Sequence, residues 1–108
     1  MSYEDTKEKC LEACRECIEV GILFVKENKN KPKMAGCIQL VNKSSKKCKV
    51  VVSDGGSDNH LLQECAKACD ESVTECEKYD GLSCQAIVES SRQCRDICNA
   101  LASASIAL

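Results

Sequence analysis

The chain has 108 residues, enough for one domain with a single modest core. Its 15 basic and 17 acidic residues leave a net charge of −2, which argues against nucleic acid or an anionic membrane as the main partner. Only 3% of the residues are aromatic and none is Trp, whereas eleven are cysteine. With the cysteines set aside the apolar core is thin, so we expect something besides apolar burial to help hold the interior together.

The start of the chain is charged and contains no apolar run of the kind found in a signal peptide. No stretch approaches the roughly 18 apolar residues that a membrane span needs. We therefore expect a cytoplasmic protein, in a compartment where thiols stay reduced. The odd number of cysteines, eleven, also disfavours a closed disulfide framework.

The first predicted helix covers residues 2–27. Ser2, followed three residues later by Asp5, is typical of a capping box at a helix N-terminus. The polar stretch 28–31 then ends the periodic pattern.

Helix 2 is predicted over residues 32–51 and begins at Pro32, the only proline, which suits the first position of a helix. The short β-branched run 49–52 also has the composition of a strand. We interpret this run as the end of helix 2.

Helices 3 and 4 are predicted over residues 59–79 and 82–101. The glycine- and serine-rich run 53–58 is the clearest linker in the chain, and a tight turn at 80–81 separates the last two helices. Four segments of similar length with short connections predict an all-α, antiparallel up-down-up-down four-helix bundle. We expect residues 1–108 to form this bundle as a single domain.

The cysteines recur at helical spacing. At about 100° per residue, Cys10, Cys14 and Cys17 lie within about 60° of one another on helix 1, and the other helices carry similar stripes. We therefore expect every cysteine to face the interior of the bundle. The candidate metal ligands are Cys10, Cys14, Cys17, Cys37, Cys48, Cys65, Cys69, Cys76, Cys84, Cys94 and Cys98.

Buried cysteine commonly serves as a small hydrophobic residue, which is sufficient for one or two of them. Eleven are hard to explain in this way, since Val, Ala or Leu would pack without the risk of oxidation. The spacing Cys-x-x-x-Cys also occurs three times, at 10/14, 65/69 and 94/98. Two such thiols have Cβ atoms about 5–6 Å apart, so their sulfurs can hold one ion from opposite sides, a geometry that suits low-coordinate Cu(I).

Soft thiolate ligands favour Cu(I), followed by zinc or iron–sulfur centres. The latter need about four ligands in a tetrahedral frame and commonly use Cys-x-x-Cys in a loop. Only Cys14 and Cys17 have that spacing here, in the middle of a helix. The leading function is non-catalytic Cu(I) binding for storage or detoxification; the alternative is an iron–sulfur or zinc-thiolate protein. We do not expect an enzyme, because the only histidine, His60, lies near the end of helix 3 with no partner on the cysteine face.

The cysteine pattern resembles that of the four-helix-bundle copper storage proteins, in particular their cytosolic branch. The segments that carry the resemblance are 10–17 (CLEACREC), 34–38 (MAGCI), Cys48, 64–69 (ECAKAC), 75–80 (ECEKYD), 83–86 (SCQA) and 94–98 (CRDIC). The resemblance implies that several Cu(I) ions per chain fill the bundle, held by cysteine thiolates, and that the chains form a homo-oligomer, a tetramer. Besides metal ions, the implied partner is a copper-delivering protein or a small thiol, not a membrane or a nucleic acid.

Several positions at which that family usually has further cysteines carry other residues here. They are Gly21, Phe24, Asn28, Ser44, Leu62, Ser72, Ile87 and Ser91. Tracing the helices up and down places Cys37, Cys76 and Cys84 near one end and the other eight cysteines near the opposite end. An apolar, serine-lined belt of about 11 Å separates them. We therefore predict two separate sites, with Met34 near the smaller one, where it either fills the core or passes Cu(I) inward.

Overall fold

The computed structural model describes residues 2–107 and the side chains of residues 2–104. Four α-helices follow one another along the chain, and a 3-10 turn at Pro32–Met34 directly precedes the second. They are α1 (Tyr3–Asn28), α2 (Ala35–Asp54), α3 (Asn59–Cys76) and α4 (Leu82–Ala107). Residues 2–107 contain no strand, and the β-branched run 49–52 lies inside α2. The all-α prediction is confirmed.

The helices are arranged as a square. α1 packs against α2 and α4, and α3 packs against the same two helices. Because the connections are short, consecutive helices run in opposite directions, and the bundle measures 46 × 21 × 18 Å. The predicted up-down-up-down topology is confirmed. Within the described residues, no helix combines the length and the apolar character needed to span a bilayer.

Side chains and one glycine define the helix ends. Ser2 Oγ accepts a hydrogen bond from the backbone N–H of Asp5 at 3.1 Å, and so caps α1 as predicted. Asp58 caps α3 by accepting from the backbone N–H groups of His60 and Leu61. Gly55 ends α2 in the left-handed conformation, with φ of 78°, which costs a glycine little.

Several helix ends differ from the prediction. Pro32 lies in a 3-10 turn, so α2 begins at Ala35 and not at Pro32. α2 continues to Asp54 because the left-handed residue that stops it is Gly55. α3 ends at Cys76 because the chain tightens there into three-residue turns, in which the N–H of Tyr79 donates to the carbonyl of Cys76. α4 extends to Ala107, well past residue 101, because its alanine- and serine-rich end contains no helix-breaking residue.

The interior contains two groups of buried residues. The apolar residues that lie between the cysteines on the inner faces of the helices are buried throughout: Phe24, Met34, Val41, Leu62, Val73, Ile87 and Leu101. Leu62 and Leu101 belong to the group that holds eight of the cysteines, whereas the other five surround Cys37, Cys76 and Cys84. The two groups of cysteines therefore lie at different levels of the bundle.

Gly21 and Gly36 offer a matched test of this packing. An alanine Cβ at buried Gly21 would lie 2.7 Å from Ser45 Oγ and 3.2 Å from Val41 Cγ1, whereas one at exposed Gly36 would meet nothing within 4 Å. We expect Gly36→Ala to raise the free energy of unfolding by up to about 1 kcal/mol through helix propensity. Gly21→Ala should lower it, because overpacking costs about 1–3 kcal/mol and outweighs that gain.

Urea unfolding of both variants measures the difference. If Gly21→Ala proved as stabilising as Gly36→Ala, the close approach of α1 and α2 at Gly21 would be wrong.

Candidate metal centre

Eight cysteines meet in the interior, with contributions from all four helices. We call this group the eight-thiol cluster. Its members are Cys10, Cys14 and Cys17 of α1, Cys48 of α2, Cys65 and Cys69 of α3, and Cys94 and Cys98 of α4. Each is at most 1% exposed. Residues three or four apart on a helix share a face, so the spacing seen in the sequence directs all eight sulfurs to the bundle axis.

The sulfurs of the eight-thiol cluster touch one another between helices. Cys10 and Cys98 bring their Sγ atoms to 3.5 Å, and Cys48 and Cys65 bring theirs to 3.6 Å. A disulfide bond would require about 2.05 Å. The cysteines are therefore free thiols in contact, as all eleven in the chain are.

Three overlapping groups within the cluster have all their sulfurs within 4.8 Å of one another. Two of them take one cysteine from each of the four helices, and the third joins α1 to α4. The groups are Cys14, Cys48, Cys65, Cys94; Cys17, Cys48, Cys69, Cys94; and Cys10, Cys14, Cys98. Such an all-sulfur, buried donor set is suited to soft metal ions.

Hydrogen bonds between thiols favour ionisation at three members of the cluster. Interaction with the thiol of Cys10, followed by that of Cys48, lowers the pKa of Cys14. The pKa values of Cys17 and Cys65 are lowered in the same way, chiefly by hydrogen bonds with Cys48 and Cys14 respectively. A thiolate is the form that binds metal; these neighbouring thiols favour it at the three positions, whereas burial opposes it.

The thiols that donate these hydrogen bonds keep their protons more firmly. Interaction with Cys14 raises the pKa of Cys10 to about 12. Cys48 and Cys94 each interact with Cys14 as well, and this is the main cause of their raised pKa values. Hydrogen bonding to a neighbouring thiol likewise raises the pKa of Cys69 and Cys98. A bound metal must displace these protons, so metal binding at the cluster releases protons to solvent.

The remaining three cysteines form a looser group at the opposite end, which we call the three-thiol group: Cys37, Cys76 and Cys84. All three are buried, and Cys84 is the most exposed at 3%. In the part of the chain that the structure describes, these three sulfurs are not all within 4.8 Å of one another. Burial raises the pKa values of Cys37 and Cys76, so both are protonated at neutral pH.

Two cavities reach the three-thiol group from the surface. The larger, about 560 Å³, has Asn28, Met34 and Cys84 in its lining. The smaller, about 230 Å³, is lined in part by Cys76 and Cys84. At the other end, by contrast, Gly56 packs closely against Leu101. A Cβ atom added to Gly56 would lie only 3.5 Å from Leu101 Cδ2. The three-thiol end is therefore the more accessible one.

A belt of hydroxyl and apolar side chains separates the two groups. Ser44 Oγ donates to the carbonyl of Val41 at 2.9 Å, and Ser72 Oγ donates to the carbonyl of Leu40 at 3.0 Å. Both serines occupy positions at which the resemblance leads one to expect cysteine. Their hydroxyl hydrogens are donated to the backbone, and a hydroxyl oxygen is a hard ligand, so the belt offers no soft ligand between the two groups of sulfurs.

Sequence reasoning found the cysteines but not the way they combine. Spacing along one helix pairs Cys10 with Cys14, whereas the contacts of 3.5–3.6 Å that form the cluster run between helices. It also gave no sign that Cys48 and Cys94 each belong to two groups. His60 lies on the surface as predicted, where its Nε2 atom is 3.1 Å from Glu64.

Fold and site together define a four-helix bundle with a cysteine-lined interior. The sequence profile of a family described as copper storage protein, Csp, matches residues 2–103. The chain belongs to this copper storage protein family, which confirms the resemblance found in the sequence.

Individual relatives agree with this assignment. The chain is 30% identical over 106 residues to the uncharacterised cysteine-rich protein YhjQ of Bacillus subtilis, covering 92% of this chain and 98% of that protein. The structure is similar to that of the Cu(I)-bound copper storage protein BsCsp3, with a TM-score of 0.84, 26% identity and coverage of 90% and 98% of the two chains. The apo form of copper storage protein 3 from Bacillus subtilis gives a TM-score of 0.80 and 27% identity, with coverage of 88% and 97%.

The raised pKa of Cys76 predicts how stability depends on pH in the metal-free protein. In the unfolded chain this thiol titrates near 9.0, and burial raises its pKa in the folded protein. Its contribution to stability is therefore complete below about pH 9 and is lost as the pH rises further. We expect Cys76→Ala to flatten the decline in the free energy of unfolding between about pH 9 and 11.

Chemical unfolding at several pH values measures this decline. Ser72→Ala is the control, because it changes a buried residue of the same helix that has no charge to lose. Equal slopes for the wild type and Cys76→Ala would contradict the prediction.

Proposed function

We propose that this protein stores Cu(I) in the cytoplasm, binding several ions per chain through cysteine thiolates, and that it has no catalytic role. The observation that supports this most strongly is the eight-thiol cluster, in which four helices supply overlapping groups of buried sulfurs. Membership of the copper storage protein family and the similarity to Cu(I)-bound BsCsp3 support the choice of metal.

Charge balance favours a monovalent soft ion in this site. A buried charge is costly unless an opposite charge pairs with it. One Cu(I) for each thiolate leaves the cluster neutral, and a sulfur that bridges two ions allows up to about one ion per cysteine. The cluster can therefore be filled without a counter-ion from the protein, and the interior has no buried Lys or Arg among the described side chains.

The three-thiol group acts as a second, smaller site in this proposal. It lies beside the two cavities at the accessible end, and Met34 contributes a thioether to the larger cavity. Cu(I) brought by a small thiol or a copper-delivering protein enters the bundle here. The belt around Ser44 and Ser72 then separates this site from the main store.

An assembly of several chains, a homotetramer as the family resemblance implies, is also part of the proposal. Ile22, Leu23 and Leu82 are 58%, 59% and 84% exposed. Leu23 and Leu82 line one shallow apolar cavity between α1 and α4. Contact between copies of the chain would remove this apolar surface from water.

Replacement of Cys65 and Cys69 by serine tests the main store. Both residues lie in four-sulfur groups, so we expect the double variant to bind fewer Cu(I) ions while its helical content is unchanged. Anaerobic Cu(I) titration against a chromophoric chelator, with circular dichroism on the same samples, measures both properties. The control is Ser72→Ala, which should keep full capacity. Unchanged capacity in the double variant would remove this pair from the site.

A triple variant, Cys37→Ser/Cys76→Ser/Cys84→Ser, tests the division into two sites. We expect it to lose a minor share of capacity and to load more slowly, while tight binding at the eight-thiol cluster persists. The matched triple, Cys14→Ser/Cys48→Ser/Cys94→Ser, changes the same number of thiols and should lose most of the tight binding. Loss of all Cu(I) binding in the first triple would show that the two groups form one site.

A further inference from the structure

The two four-sulfur groups of the cluster share one edge. Cys48 of α2 and Cys94 of α4 belong to both groups, while α1 and α3 each supply a different cysteine to each. The first group is completed by Cys14 and Cys65, and the second by Cys17 and Cys69. Six sulfurs thus outline two tetrahedra with a common edge, and Cys10 and Cys98 lie outside both.

The sulfur spacing in the first group suits a tetrahedral ion. Four of its six Sγ–Sγ distances are 3.6 Å for Cys14–Cys94 and Cys48–Cys65, 3.7 Å for Cys48–Cys94 and 4.0 Å for Cys65–Cys94. The other two, from Cys14 to Cys48 and to Cys65, are at most 4.8 Å. A tetrahedral site with metal–sulfur bonds of about 2.3 Å has edges of about 3.8 Å. Two sulfurs on opposite sides of one ion would be about 4.6 Å apart at that bond length. These four distances are therefore closer to the edge of a tetrahedral site than to the span of a linear one.

We propose that the copper-free protein binds two Zn²⁺ ions in these groups, with the thiolates of Cys48 and Cys94 bridging them. Zn²⁺ takes four sulfur ligands in a tetrahedral frame and undergoes no redox change. The shared edge consists of the protein's own sulfurs, so the site requires no inorganic sulfide, as an iron–sulfur cluster would.

Charge favours occupancy by a pair of ions. One Zn²⁺ with four thiolates has a net charge of −2. The second ion brings two further thiolates, so the charge of the pair is still −2 and the second ion adds no buried charge. The two ions should therefore bind together. No buried Lys or Arg among the described side chains balances this charge of −2, whereas one Cu(I) for each thiolate leaves the cluster neutral. Because thiolates also prefer Cu(I), copper displaces the zinc, and the zinc site neither depends on the copper store nor replaces it.

The experiment is an anaerobic titration of the reduced, metal-free full-length chain with Zn²⁺ in competition with a chromophoric chelator. Co²⁺ in a parallel titration reports geometry, because tetrahedral Co²⁺–thiolate sites absorb strongly in the visible range. We expect two ions per chain for either metal, one for each four-sulfur group, with the Co²⁺ spectrum of a tetrahedral thiolate site.

Three single variants separate bridging, terminal and outside cysteines. Cys48→Ser removes a ligand from both ions and should abolish tight binding of the pair. Cys17→Ser should leave one tightly bound ion, in the first group. Cys98→Ser is the matched control, since this cysteine is equally buried in the same cluster but lies outside both groups. It should still bind two ions, while its Cu(I) capacity falls.

Circular dichroism checks that each variant folds, and if Cys48→Ser does not, the comparison of Cys17→Ser with Cys98→Ser decides. Fewer than two ions in the wild type, an octahedral Co²⁺ spectrum, or equal losses in Cys17→Ser and Cys98→Ser would overturn the proposal. A Cu(I) titration of the same samples shows whether copper storage stands independently of that outcome.

Discussion

Contact between cysteine sulfurs of different helices is the interaction on which the rest of this structure depends. In most helical bundles the layers between helices are filled by Leu, Ile or Phe, but here one whole end is filled by thiols with Sγ–Sγ contacts of 3.5–4.0 Å. A protonated thiol is small, weakly polar and tolerated in a core. The same group becomes a strong soft ligand once its proton leaves. The bundle can therefore fold without metal and still present a dense ligand set, unlike small zinc domains, whose folding energy comes from the ion.

The division of the interior follows from which residues occupy the middle layers. Val41, Val73 and Ile87 pack as an ordinary apolar core, and Ser44 and Ser72 give their hydroxyl hydrogens to backbone carbonyls. A satisfied hydroxyl costs little to bury, but it provides no ligand that Cu(I) favours. The belt stabilises the fold by burying apolar surface, of which the thiols bury little. It also keeps the two groups of sulfurs apart.

The sequence was sufficient to predict the fold and the direction in which the cysteines point, because both depend on helical periodicity. Cys10, Cys14 and Cys17 share a face on any regular helix, whatever that helix packs against. The grouping into four-sulfur sets could not be predicted, because it depends on the relative height of four helices, which no single helix encodes. The end of α2 was also missed: Ser53 and Asp54 are typical of a loop, yet they stay helical because the stop is provided by Gly55.

An ion held linearly between two sulfurs that now touch would move the helices that carry them apart. Two sulfurs on opposite sides of one ion, at the metal–sulfur distance of about 2.3 Å known for zinc thiolates, are about 4.6 Å apart, more than the 3.6 Å between Cys14 and Cys94. Contacts between the helices at the surface of the bundle oppose such a small expansion only weakly. The ion pairs Lys43–Glu71 and Lys47–Glu64, which join α2 to α3, are partly exposed and, as surface pairs, contribute little to stability. The apolar belt, in contrast, is close-packed and holds the four helices together. Expansion at the eight-thiol end is therefore opposed mainly by the belt. We expect the helices to separate at that end and to stay in register at the middle of the bundle.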